Sequence, residues 1–350
     1  MSASLGIAGL ASLGVAFAAT SLLARYGSRL GFTDIPNDRS SHERITPRSG
    51  GLGIVVGVAT GLVLLLVMGE MPNRQLQVLV SGAGAIVVLG AIDDRHPVRP
   101  GYRLVVQAFV ATAVAAALGG AGRLPLPHPL DISLGLLSIP FTVVWLVAVT
   151  NFYNFMDGID GLAGGQAVAS CIGICVAAWS VGAIQLAVLL GASTVGFLIL
   201  NRPPARIFLG DAGSTGIGFV IAGLPLMAPA GHRPMALFAV AVGLSLFLLD
   251  PLETLVRLAR RGHRIGQAHR EHNYQLLASN PRRRRLVAGS ITATGTLLAV
   301  SGGIAYRVPW TSWPVGFLAL LAFVAERYLA LRSSRQNAGQ KNPTQPTGSS

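Results

Sequence analysis

Apolar runs long enough to cross a bilayer recur along almost the whole chain, and they constrain its fold more than any other feature. They lie near residues 3–24, 51–68, 76–92, 104–120, 136–151, 166–180, 183–200, 213–229, 235–256, 286–305 and 311–331. A membrane helix needs about 20 mostly apolar residues, because in hydrocarbon each backbone amide must find its partner within the segment. The pattern predicts an all-α, polytopic integral membrane protein of about eleven transmembrane helices. Composition agrees: 51% of the 350 residues are hydrophobic and only 12% are charged, too few charges for an ordinary soluble domain. The membrane domain is expected over residues 1–332. The polar, low-complexity stretch at 333–350, "SSRQNAGQKNPTQPTGSS", is expected to be disordered.

The connecting segments alternate in charge. Of the 27 lysines and arginines, all except Arg74, Arg123, Arg233 and Arg307 fall around 25–48, 95–103, 202–206, 257–285 and 327–341. Lys341 is the only lysine. By the positive-inside rule the rich segments are cytoplasmic, which puts the N-terminus in the periplasm and the C-terminus in the cytoplasm. The first run lacks a positive n-region and has Arg25 and Arg29 after it, so it is expected to be a retained span rather than a signal peptide. No basic stretch interleaves with aromatic residues, which argues against nucleic acid as a partner. Cys171 and Cys175, four apart in an apolar run, lack the spacing of a metal or redox pair.

The unusual polar residues follow the same parity. Each step from "DIPNDRSSHERITPRSGG" to "AIDDRHP", "NFYNFMDGIDG", "FLGDAGS" and "QAHREHNYQ" crosses two of the expected spans, so all five emerge on one face. Asp93 and Asp94 are adjacent carboxylates at a span end, where repulsion raises the pKa of one unless a cation or metal sits beside it; the plain alternative is a solvated helix end followed by Arg95. Asn154, Asp157 and Asp160 recur every three residues, which on a helix stacks three oxygen-bearing side chains along one face. Such hard ligands suit Mg²⁺, while the bareness of Gly158 and its neighbouring glycines lets a ligand or a helix approach the backbone. Asp211 precedes Ser214 and Thr215 at a span start, where free amides favour phosphate but where an acid can equally be a plain N-cap. His269, Arg270 and His272 read as phosphate contacts. The Arg282–Arg285 run is accounted for by topology and anionic lipid.

As an ordered set, these motifs resemble the polyprenyl-phosphate N-acetylhexosaminyl-1-phosphate transferases, a family that includes the UDP-GlcNAc:undecaprenyl-phosphate transferases and the phospho-MurNAc-pentapeptide translocases. The resemblance runs from about residue 30 to residue 280. It rests on the first loop, on Asp93-Asp94, on "NFYNFMDGIDG" and on "FLGDAGS". The last loop, "HREHNYQ", looks more like the O-antigen-initiating branch that handles 6-deoxy sugars such as FucNAc or QuiNAc. The resemblance implies transfer of an N-acetylhexosamine 1-phosphate from a UDP-sugar to undecaprenyl phosphate with release of UMP. It also implies a Mg²⁺ cofactor, with Mn²⁺ as a candidate substitute, and a bacterial inner-membrane enzyme whose site faces the cytoplasm.

Residue by residue, Asp211 matches the principal metal ligand, and Asn154, Asp157 and Asp160 match groups around metal and nucleotide. Asp93 matches the position assigned to a base, with Asp94 beside it. Phe208 matches an aromatic stacking on uracil, and Arg48, His269, Arg270 and His272 match phosphate- and sugar-facing loops. A homodimer is compatible with this reading. The competing class is a membrane transporter of an anionic lipid or nucleotide-sugar, which would place its polar groups at mid-bilayer in matched halves; a non-catalytic scaffold is the third.

Overall fold

A computed structural model describes residues 2–34, 46–262, 271–278 and 281–340. Each apolar run folds as a helix or a broken pair of helices, and short polar side chains set several starts. The side chain of Ser2 accepts from Leu5 N at the head of α1 (Ala3–Tyr26). Asn73 does so from Leu76 N below α3 (Arg74–Arg95), and Ser180 from Ala183 N below α7 (Val181–Asn201). Each occupies one of the amides a helix start leaves orphaned. The other elements are α2 (Gly50–Val67), α4 (Pro100–Leu118), α5 (Ser138–Phe155), α6 (Leu162–Ala177), α8 (Gly210–Gly223), α9 (Arg233–Gly243), α10 (Ser245–Arg260), α11 (Asn273–Leu277), α12 (Pro281–Arg307) and α13 (Ser312–Gln340). Strand pairing among the described residues is slight: β1 (Thr33–Asp34) lies antiparallel to β2 (Thr46–Pro47), and Arg123 bridges Ser133.

Among the described residues, eight helices are long and apolar enough to cross a membrane, or nine if the bent pair α9 and α10 is one span. The expected count of about eleven is not reached by length and composition, for physical reasons. α6 has 16 residues, α8 has 14 before tightening into a 3₁₀ turn at Leu224–Met227, and α9 meets α10 at 76°. At about 1.5 Å of rise per residue, neither α6 nor α8 alone spans a hydrocarbon core of about 30 Å. At the other end, α13 continues to Gln340, eight residues into the tail expected to be disordered; residues 341–350 lie outside the described residues.

The shortness of α8 follows from where it sits. It packs against α2, α3 and α5, and every one of its residues except Asp211 is buried. A helix sheathed in protein has no lipid thickness to match. Its neighbours approach closely because their contact positions are bare. A Cβ at Gly51 would strike Gly213, and one at Gly90 would strike the backbone of Asp211 and Ala212, the small-residue packing common between membrane helices. The end of β2 and the head of α2 are laced to the residues before α8. Phe208 N donates to Pro47 O (2.8 Å), Gly50 N to Phe208 O (2.9 Å) and Gly51 N to Leu209 O (2.8 Å).

Candidate active site

The end of α3, the start of α4, the start of α8 and Arg48, between β2 and α2, carry a closed ring of acids and arginines. Asp94 is the most buried member, its side chain 1% exposed. Its carboxylate accepts from the backbone of Asp211 (2.9 Å) and Ala212 (3.0 Å), and from Arg48 Nε (2.9 Å). Asp94 therefore caps α8 from a neighbouring helix. Gly210 makes this approach possible: its φ of 77° is left-handed, and a Cβ there would collide with the carbonyl of Arg48. Arg48 also reaches Asp211 Oδ1 (3.5 Å). Arg103 closes the ring, pairing with Asp93 and with Asp211 Oδ2 (3.1 Å). The other oxygen of Asp93 accepts from Val98 N (2.6 Å).

Asn154, on the last turn of α5, donates to Asp211 Oδ1 (3.0 Å) and to Ser214 Oγ (2.8 Å). The stacked face expected for Asn154, Asp157 and Asp160 is not formed, because α5 stops at Phe155 and residues 156–161 turn. Gly161, with φ 79°, completes the turn. Asp160 consequently points elsewhere and accepts from Ala205 N (2.9 Å), while Asn201 accepts from Gly161 N (2.9 Å). Asp157 remains with the cluster and has no hydrogen-bonded side-chain partner among the described residues. Burial first, then the charges of Asp211, Asp94 and Asp160, hold its carboxyl well above its ordinary range.

Gly158 faces protein: a Cβ there would collide with the hydroxyl of Tyr274. Phe208 is half-buried in the strip laced to β2. His272 is buried, its ring 5.9 Å from that of Tyr274 and 6.3 Å from that of Phe155, with Nδ1 3.4 Å from Asp250. His269 and Arg270 lie outside the described residues. Among the described residues, no three His, Cys, Asp or Glu side chains converge to hold a metal ion unaided. An ion at Asp211 would therefore need ligands from water and from a phosphate.

Sequence reasoning missed Arg103 and Asp250. Arg103 was counted only as a topology charge, although its position one turn into a helix on the acidic face was a usable signal. Asp250 stands in an apolar run with no motif around it, and only the fold shows that it takes the amides of Asn273 and Tyr274.

The pattern of glycosyl transferase family 4 matches residues 76–228, the stretch that supplies Asp93, Asp94, Arg103, Asn154, Asp157 and Asp211. A Bacillus subtilis (strain 168) protein named "Probable undecaprenyl-phosphate N-acetylglucosaminyl 1-phosphate transferase" is 32% identical over 259 residues, 73% of this chain and 71% of its own length. The undecaprenyl-phosphate alpha-N-acetylglucosaminyl 1-phosphate transferase of Yersinia pestis is 30% identical over 323 residues, 88% and 86% of the two chains. A phospho-N-acetylmuramoyl-pentapeptide-transferase of Clostridium beijerinckii is 29% identical over 282 residues, 74% and 82%. The chain belongs to the polyprenyl-phosphate hexosamine 1-phosphate transferase superfamily.

Proposed function

We propose that this protein transfers an N-acetylhexosamine 1-phosphate from a UDP-sugar to undecaprenyl phosphate at the cytoplasmic face of a bacterial inner membrane. The observation that carries the reading is the ring itself. Asp211, the one residue of α8 that is not buried, is held between Arg48, Arg103 and Asn154 at a protein surface where α3, α4, α5 and α8 meet. The nucleophile is an oxygen of the lipid phosphate, and it attacks the phosphorus next to the sugar. A new P–O bond forms, the bond to the bridging oxygen breaks, and UMP leaves with that oxygen. Both reactants are polyanions, so catalysis is mostly neutralisation and positioning.

Arg48 and Arg103 are suited to take phosphate oxygens, for guanidinium matches that geometry. Asp93 has both oxygens engaged and serves better as the anchor of Arg103 than as a base; a phosphate nucleophile near neutral pH needs little deprotonation. Asp94, bound to two amides and to Arg48, sets the position of Asp211. The donors present fit Mg²⁺, which takes one or two protein carboxylates and completes its shell with water and substrate phosphates. Asp211 and Asp157 would hold it, with the side-chain oxygen of Asn154 nearby, and the unpartnered carboxyl of Asp157 is what favours the fit. Bound there, Mg²⁺ would supply charge neutralisation on the diphosphate. The arginine-rich segments support the cytoplasmic orientation, and a 6-deoxy N-acetylhexosamine feeding O-antigen synthesis is the donor class the last loop favours.

The test is purified protein with Mg²⁺, undecaprenyl phosphate and a panel of UDP-N-acetyl sugars. UMP release with a lipid-linked product of matching mass is expected. No UMP from any donor overturns the reading, and substrate moved across proteoliposomes without lipid product favours a transporter.

A further inference from the structure

Asp250 is fully buried in α10, just beyond the 76° break with α9, and no step described so far uses it. A carboxylate removed from water is costly unless its lone pairs are taken up. Here they accept from Asn273 N (2.9 Å), Tyr274 N (3.2 Å) and Thr254 Oγ1 (3.3 Å), and His272 Nδ1 lies 3.4 Å away. The same short segment is gripped from other sides. Arg257 donates to Glu271 O (2.6 Å), and Arg327 donates to Asn273 Oδ1 (2.9 Å) while pairing with Glu253 (3.2 Å).

What this grip delivers is the hydroxyl of Tyr274. It donates to Phe155 O (3.0 Å), one of the carbonyls that the end of α5 leaves without an intrahelical partner. Bare Gly158 is what lets the hydroxyl sit there. Asn154 and Asp157, the groups flanking Asp211, lie on either side of that carbonyl. A continuous chain of contacts therefore runs from Asp250 through the amides of α11 and the Tyr274 hydroxyl to the turn at 155–158, which faces Asp211.

We propose that Asp250 is a positioning residue for the donor side of the transfer: by holding α11 it sets where α5 ends, and so how Asn154 and Asp157 are presented to the donor diphosphate. The inference rests on the proposed transferase activity. Wild-type protein that releases no UMP from any donor removes that activity, whereas an active wild type with an unaltered variant removes only this inference.

The experiment compares wild type, Asp250→Asn, Tyr274→Phe and the double variant in detergent, with KM measured separately for UDP-sugar and for polyprenyl phosphate. Asp250→Asn should lower kcat by about 10- to 100-fold and raise the KM for the donor several-fold at unchanged KM for the lipid. A role in folding alone would reduce the active fraction and move neither KM. Because both residues act through one chain of contacts, the double variant should lose no more than the worse single variant. Multiplied losses, or equal shifts in both KM values, overturn the proposal. If Asp250→Asn does not fold, Tyr274→Phe alone decides: an unchanged donor KM overturns it.

Discussion

Asp94 and Asp250 each take two successive backbone amides at the head of a shorter helix, Asp211 and Ala212 of α8 in one case and Asn273 and Tyr274 of α11 in the other. The backbone geometry is similar but the charge balance is not. Asp94 carries Arg48 on the same carboxylate, and the helix it caps presents Asp211, 19% exposed. Asp250 is surrounded by a hydroxyl, an imidazole and amides, and the helix it caps presents Tyr274, which is buried. The two caps thus divide the labour. One holds an acid at a surface and brings the cation that a phosphate will want; the other locks packing behind that surface.

The largest effect should separate the presented residue from its cap. Asp211→Asn is expected to lower kcat by about 10³-fold or more and leave the melting temperature almost unchanged, since the cap is made by the backbone; near-normal UMP release would break the comparison at once. Asp94→Asn should damage both quantities, lowering kcat by about 10²-fold and stability by about 1–2 kcal/mol, read from activity and thermal unfolding of the same preparation. A stable but inactive variant would mean that Asp94 is not a cap in function.

On the other side of the comparison, Gly158→Ala should cost about tenfold in kcat by pushing the Tyr274 hydroxyl away, and Tyr274→Phe in the same chain should recover part of it. The smallest effect concerns Asp157. Its folded pKa is raised, so the folded protein holds a proton that the unfolded chain has lost, and stability falls as pH rises from the ordinary carboxylate range through the raised value. Without metal, Asp157→Asn should flatten that slope and raise the melting temperature by about 2–4 °C at neutral pH. An unchanged slope would show that another group sets it.

Much of the candidate site was legible in the sequence because membrane topology is nearly one-dimensional. Parity of apolar runs sufficed to place Asp93, Asp94, Asn154, Asp157 and Asp211 at one end, and the structure brings them within hydrogen-bond or coulombic reach. What parity could not carry was the end of a helix. The spacing of Asn154, Asp157 and Asp160 assumed that α5 continued, but it stops at Phe155, whose carbonyl accepts from Tyr274, more than a hundred residues later. Span count suffered likewise, since α8 owes its length to burial by α2, α3 and α5. Asp250 was invisible because it gains meaning only from the amides of Asn273 and Tyr274 on another helix, whereas Arg103 carried a positional signal but no indication of its partners Asp93 and Asp211.

The ring of Arg48, Arg103, Asp93, Asp94 and Asp211 has a consequence for the order of events on the proposed reading. Its three acids outnumber its two guanidinium groups, so with all five ionised the ring by itself carries a net negative charge before any ligand arrives. A bare nucleotide diphosphate approaching it is repelled, while one already chelated to a divalent cation is not. An enzyme so arranged would select its donor by ionic form as well as by sugar, and free nucleotide-sugar in excess over cation would be a weak competitor rather than a substrate.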